Sequence, residues 1–94
     1  MNNIVYKYDE DKILQDIKAY IDESYKKHYT SGNADNIQPN DLLISCGHGT
    51  SFFAGNVVKY AARFGKKDGK NLEDLKKLLH YAILLYYVAS RKGE

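Results

Sequence analysis

Ninety-four residues, 44% hydrophobic and 28% charged, suit one small globular domain and exclude a chain that is disordered throughout. The longest apolar run, residues 81–89, falls far short of the roughly 20 residues that span a bilayer, so no membrane helix is expected. The net charge of +2 is unevenly spread: residues 1–58 hold five lysines against eight acids, whereas residues 59–94 hold nine Lys and Arg against four. A local basic field of this kind attracts phosphate-bearing partners, but the excess is too small to imply a nucleic acid.

Residues 1–8 read as a ragged lead-in. Asp9, Glu10 and Asp11 sit where a helix N-terminus favours negative charge, and Ile13, Leu14, Ile17, Tyr20, Ile21 and Tyr25 recur at helical spacing. These predict a first helix over 10–27, laced by Asp22–Lys26 and Glu23–Lys27 pairs. Residues 28–38 are rich in Ser, Gly, Asn and Asp and read as a loop. Pro39 and Asp41 suit a helix start, giving a short second helix over 39–46 that Gly47 ends. Gly47-His48-Gly49 then reads as a flexible hinge, with Thr50 or Ser51 capping the next element.

The third helix is predicted over 51–64, with Phe53, Val57, Tyr60, Ala61 and Phe64 as its apolar stripe. After a basic turn, Asn71 caps a fourth helix, with Asp74 at the capping-box position. Leu75, Leu78, Leu79, Ala82, Leu85, Tyr86 and Ala89 mark its buried face. From Tyr81 the helix is apolar nearly all round, which a chain this short can hardly enclose. The expected fold is therefore all-α, a compact bundle of about four helices, with homo-oligomerisation through Tyr81–Ala89. Residues 1–27 form the lead-in and amphipathic helix, and 28–94 the remaining compact unit. Cys46, the one cysteine, has no disulfide partner and no CxxC spacing. Without a signal-peptide pattern, that points to a cytoplasmic setting.

Chemistry concentrates on the third helix. Asn56, Lys59 and Arg63 fall at i, i+3 and i+7 and share a polar face, with Gly55 beside them and Lys66 and Lys67 extending the positive field. The planar guanidinium of Arg63 suits bidentate phosphate contact. A solvated polar face is the competing reading. His28 and Tyr29 open the loop and suit stacking on, or hydrogen bonding to, a base; a histidine at a helix C-terminus also interacts with the helix dipole. His48 reads as a loop residue and His80 as a packed or surface one. Glu73 and Asp74 are accounted for by capping. The third helix offers no acids to pair with them as in helical nucleotide pyrophosphatases, so no metal site is assigned. There is no phosphate loop, GxGxxG, HExxH or zinc-finger spacing, and no self-contained enzyme is visible.

The blocks His28-Tyr29, Gln38-Pro39-Asn40-Asp41, Gly55-Asn56 with Lys59-Tyr60 and Arg63, and Asn71 with Glu73-Asp74-Leu75-Lys76-Lys77 occur in that order. From His28 to about Arg91 the chain resembles a small domain of unknown function widespread in phages and prophages. That domain in turn resembles part of a phage-encoded nucleotide kinase lacking a recognisable phosphate loop. The resemblance implies an oligomer with a nucleotide ligand, contacted by His28, Asn56, Lys59, Tyr60 and Arg63, in the cytoplasm of an infected or lysogenic bacterial host.

Three functions follow. The first is a module that binds a nucleotide or cyclic nucleotide through His28, Tyr29, Asn56, Lys59, Tyr60, Arg63 and Lys66, sequestering a host defence signal without chemistry. The second is a nucleoside monophosphate kinase, which would need Mg2+. The third is a protein-docking module with no small ligand. Whether the chain is an enzyme stays open at this point, and no cofactor is assigned apart from Mg2+ in the kinase reading.

Overall fold

The computed structural model describes residues 3–28, 38–66 and 69–92. All regular structure among them is α-helical: α1 Glu10–His28, α2 Pro39–Ser45, α3 Gly49–Arg63 and α4 Leu72–Lys92. The chain divides into two compact units, Met1–Asn33 and Ala34–Glu94. No helix among the described residues is long and apolar enough to cross a membrane.

In the first unit, Asp9 takes a left-handed conformation at φ 58°, one of the few non-glycine residue types that tolerates it. Its carbonyl accepts the Ile13 N–H at 2.9 Å, and the Glu10 carboxylate accepts the Tyr8 N–H at 3.0 Å. These bonds set the start of α1. Ile17 is buried, while Ile13, Leu14 and Tyr25 are exposed. The expected Asp22–Lys26 and Glu23–Lys27 pairs are replaced by Lys18–Asp22 at 3.0 Å and Glu23–Lys26 at 3.6 Å. Both are solvent-exposed and contribute little to stability.

The second unit is an antiparallel α3–α4 hairpin with α2 packed on α3. Pro39 opens α2, and the Asp41 carboxylate accepts the Gln38 N–H at 2.9 Å. At the other end, Gly47 adopts φ 82° and donates to the Ile44 carbonyl at 3.0 Å, while His48 donates to Leu43 at 2.9 Å. This pair of bonds is a Schellman cap, which places the left-handed residue just past the helix. The expected hinge is therefore a hydrogen-bonded corner. Gly49 is not loop but the first residue of α3, two positions earlier than predicted, and neither Thr50 nor Ser51 caps it. It is buried, and a Cβ there would lie 3.2 Å from Ile44 Cγ1 and 3.3 Å from Val88 Cγ2. A Cβ at this position would require Ile44 and Val88 to shift by a few tenths of an ångström, so glycine suits the close meeting of α2, α3 and α4.

Buried positions recur seven apart on both partners: Phe53 and Tyr60 on α3, and Asp74 and Val88 on α4, with half-buried Tyr81 midway between them. This repeat keeps one seam facing the partner helix along an antiparallel pair. Gly49 lies against Val88 at one end, and Arg63 against Asp74 at the other. Between them Phe52, Phe53, Tyr60 and Tyr81 form an aromatic cluster with ring centroids 5.8–6.3 Å apart. Fully burying a side chain such as Phe53, which is 0% exposed, contributes about 1.5–3 kcal/mol.

The seam corrects the expected buried face of α4. Val88, placed off that face by the sequence reading, is buried, whereas Leu79, Tyr86 and Ala89 are exposed. The segment Tyr81–Ala89 is accordingly split: Tyr81 and Val88 serve the hairpin, and Ile83, Tyr86 and Tyr87 face outward.

Candidate functional site

The loop end of the α3–α4 hairpin gathers positive charge around one ring. Tyr60 is buried and stacks on Tyr81, with centroids 6.0 Å apart and planes 9° from parallel. Lys59 Nζ lies 5.0 Å from the Tyr60 centroid, Lys77 Nζ 5.6 Å and the Arg63 guanidinium carbon 5.8 Å. Cation–π attraction to the electron-rich ring face helps hold these side chains there. Among the described residues neither Lys59 nor Lys77 has a carboxylate within ion-pair distance. Three cations thus surround one ring, and among the described residues the acid in ion-pair contact with any of them is Asp74.

Asp74 does not close the expected capping box. Asn71 caps α4 with its side-chain oxygen, which accepts the Glu73 N–H at 2.8 Å, while its own N–H donates to the Gly69 carbonyl at 3.0 Å. That releases the Asp74 carboxylate to turn inward against Arg63, with Nε 3.5 Å from Oδ1. The Asp74 side chain is only 5% exposed and that of Arg63 31%. At 3.5 Å this is an ion pair without a formed hydrogen bond, and Arg63 Nε and Asp74 Oδ2 are both buried without a hydrogen-bond partner. Arg63 is therefore not a freely presented guanidinium: its Nε edge is committed to α4.

The other sequence-derived candidates separate. Asn56 turns its amide back onto its own helix, donating to the Phe52 carbonyl at 2.9 Å. Burial against Tyr81 leaves little of the Tyr60 ring for a ligand to stack on, so its place is beneath the cations. Lys66 is exposed just beyond α3, in the turn where extended Phe64 caps the helix and Gly65 takes φ 86°. His28 is the last residue of α1; its side chain, together with Tyr29 and Lys67, lies outside the described residues. Gly55 is exposed, and a Cβ built on it meets nothing within 4 Å. Among the described residues no group of three or more His, Cys, Asp or Glu side chains is placed to hold a metal ion.

Lys77 is the residue that sequence reasoning missed, because it sits in a charged run that reads as a solvated helix face. The seven-residue spacing of Asp74, Tyr81 and Val88 was the available signal. It sets which side of α4 meets α3, and Lys77 lies one turn from both Asp74 and Tyr81 on that side.

A helical hairpin with a basic loop end defines the class to which this unit belongs in structural terms. Residues 21–83 match a family model described as a protein of unknown function, DUF3310. The match covers well over half of the chain, and the chain belongs to that family. It begins inside α1, ahead of His28 where the sequence resemblance starts, and takes in every residue of the cationic cluster. No curated protein and no solved structure matches the chain.

Proposed function

We propose that this chain is a binding module for a nucleotide or a nucleotide-derived signal, held without chemistry at the loop end of the α3–α4 hairpin. The observation that carries the reading is the convergence of Lys59, Arg63 and Lys77 on the Tyr60 ring with one carboxylate among them. Like charges gathered around one ring repel, and a phosphate bound among them would relieve the repulsion while accepting their hydrogen bonds. The resemblance of residues 28–91 to a phage and prophage domain supports a setting in which the captured nucleotide is a host defence signal in the bacterial cytoplasm. Homo-oligomerisation through the outward side chains of the Tyr81–Ala89 segment, Ile83, Tyr86 and Tyr87, belongs to the same proposal.

The test is thermal unfolding of the purified protein against a panel of nucleosides, nucleotides and cyclic nucleotides. A ligand present at 100 times its dissociation constant adds about 2.7 kcal/mol of stability. The reading predicts such a rise for at least one phosphorylated member, none for the matching nucleoside, and recovery of the ligand unchanged. The resemblance to a nucleotide kinase supports a second reading, nucleoside monophosphate kinase activity with Mg2+, and Mg2+-dependent product would establish it. No shift with any ligand would reject both and leave a protein-docking module.

A further inference from the structure

We infer that the anion site is a clamp built by two helices, in which Lys77 of α4 and Lys59 of α3 grip the same phosphate while buried Asp74 positions Arg63 between them. The inference rests on the reading above that the ligand carries phosphate, and it goes further by assigning Lys77 and Asp74 roles and by fixing the charge of the ligand group.

Lys59, Arg63 and Lys77 all lie within 5.8 Å of one point, the Tyr60 centroid. Two come from α3 and one from α4, so the antiparallel seam itself brings them together. Tyr60 cannot yield the place beneath them, because it is wedged against Tyr81. Asp74 lies 3.5 Å from the Nε edge of Arg63, and this ion pair biases the guanidinium so that the two Nη nitrogens are the donors left for a ligand. Pre-orienting a long side chain lowers the ordering cost of binding. Asp74 is a positioning residue, since its own carboxylate is buried and would repel an anion.

Charge sets the ligand class. Among the described side chains that meet at the Tyr60 ring, Lys59, Arg63 and Lys77 exceed their paired acid Asp74 by two charges, with neighbouring Lys76 and Glu73 paired to each other, and a terminal phosphate monoester near pH 7 matches that local excess. A phosphodiester, with one negative charge, neutralises half. The clamp therefore prefers a nucleoside 5′-monophosphate to the corresponding 3′,5′-cyclic monophosphate, and both to the nucleoside.

The experiment is titration calorimetry of the full chain with inorganic phosphate, adenosine and guanosine 5′-monophosphates and their 3′,5′-cyclic forms, at ionic strength held constant with chloride. Lys77→Gln is compared with Lys76→Gln, which removes the same charge one residue away, from a side chain paired with Glu73 at 3.6 Å. The clamp predicts at least tenfold weaker monophosphate binding for Lys77→Gln and for Lys59→Gln, and less than a twofold change for Lys76→Gln. It also predicts weaker binding for Asp74→Asn, although that variant gains positive charge. A purely electrostatic effect would tighten binding, and a purely structural one would leave the affinity of the folded protein unchanged. Equal losses in Lys77→Gln and Lys76→Gln, or tighter binding in Asp74→Asn, would overturn the clamp while leaving the binding module intact. If the wild-type chain binds cyclic forms better than monophosphates, the charge assignment is wrong. If it binds none of the phosphate probes or the wider nucleotide panel, the proposed function itself falls and the clamp with it.

Discussion

Truncating Arg63 should destabilise the protein more than neutralising its partner, and the reason lies in the unequal burial of the two. Asp74 is 5% exposed and Arg63 31%. Arg63→Ala removes the ion-pair partner of a carboxylate that is almost fully buried, and an unsatisfied buried group costs about 1–3 kcal/mol, more when charged. Breaking a well-formed buried pair costs about 3–5 kcal/mol. Here the contact is long and one partner half-wet, which places the expected loss near 2 kcal/mol. Asp74→Asn keeps the shape and removes the buried charge, and Arg63 can turn its guanidinium to solvent, so the loss should stay below about 1 kcal/mol. For a unit of this size 1 kcal/mol corresponds to roughly 4–8 °C in melting temperature. Amide resonances of α3 and α4, followed with temperature, report the melting of this hairpin. The double variant should recover part of the Arg63→Ala loss, since no buried charge is then stranded. An Asp74→Asn loss equal to or greater than that of Arg63→Ala would refute the reasoning.

Two glycines on α3 should respond to alanine with opposite signs. Gly55→Ala meets open space and should raise stability by about 0.5–1 kcal/mol through reduced backbone freedom. Gly49→Ala forces a methyl against Ile44 and Val88 at 3.2 and 3.3 Å and should cost about 1–3 kcal/mol by overpacking; chemical denaturation measures both. Burial lowers the pKa of His80 from its usual 6.5. The unfolded chain therefore takes up the proton first as pH falls, so this contribution to stability is complete above pH 6.5 and is lost below it. Melting curves from pH 7.5 to 5.5 should decline less steeply for His80→Phe than for the wild type, and parallel curves would contradict the assignment.

The helices were legible because amphipathic spacing and end signals coincide: Pro39, Gly47, Gly65 and Asn71 all stand at the ends the sequence indicates. Facing was harder. Most positions of α4 from Tyr81 onward are apolar, so periodicity cannot choose between Tyr86 and Val88, and only pairing with α3 decides that Val88 is the buried one. The nature of the 47–49 segment was misread for a related reason. Two glycines flanking a histidine look flexible until the left-handed Gly47 is seen to close a cap and Gly49 to be squeezed between side chains. At the candidate site, the sequence placed Lys59 and Arg63 on one face of α3 but had no means of bringing in Lys77. It also took Asp74 for a capping residue, because its position relative to Asn71 satisfies the capping rule whichever way the carboxylate turns.

The most direct test of a phosphate ligand at the loop end of the hairpin is a map of backbone amide chemical shifts in uniformly labelled protein. The titrant is whichever phosphorylated nucleotide raises the melting temperature most. The account predicts that perturbed amides cluster at residues 59–66 and 74–77 and are absent from the outward positions Ile83, Tyr86 and Tyr87. Perturbation centred on those outward positions of α4, with Lys59, Arg63 and Lys77 unmoved, would contradict it.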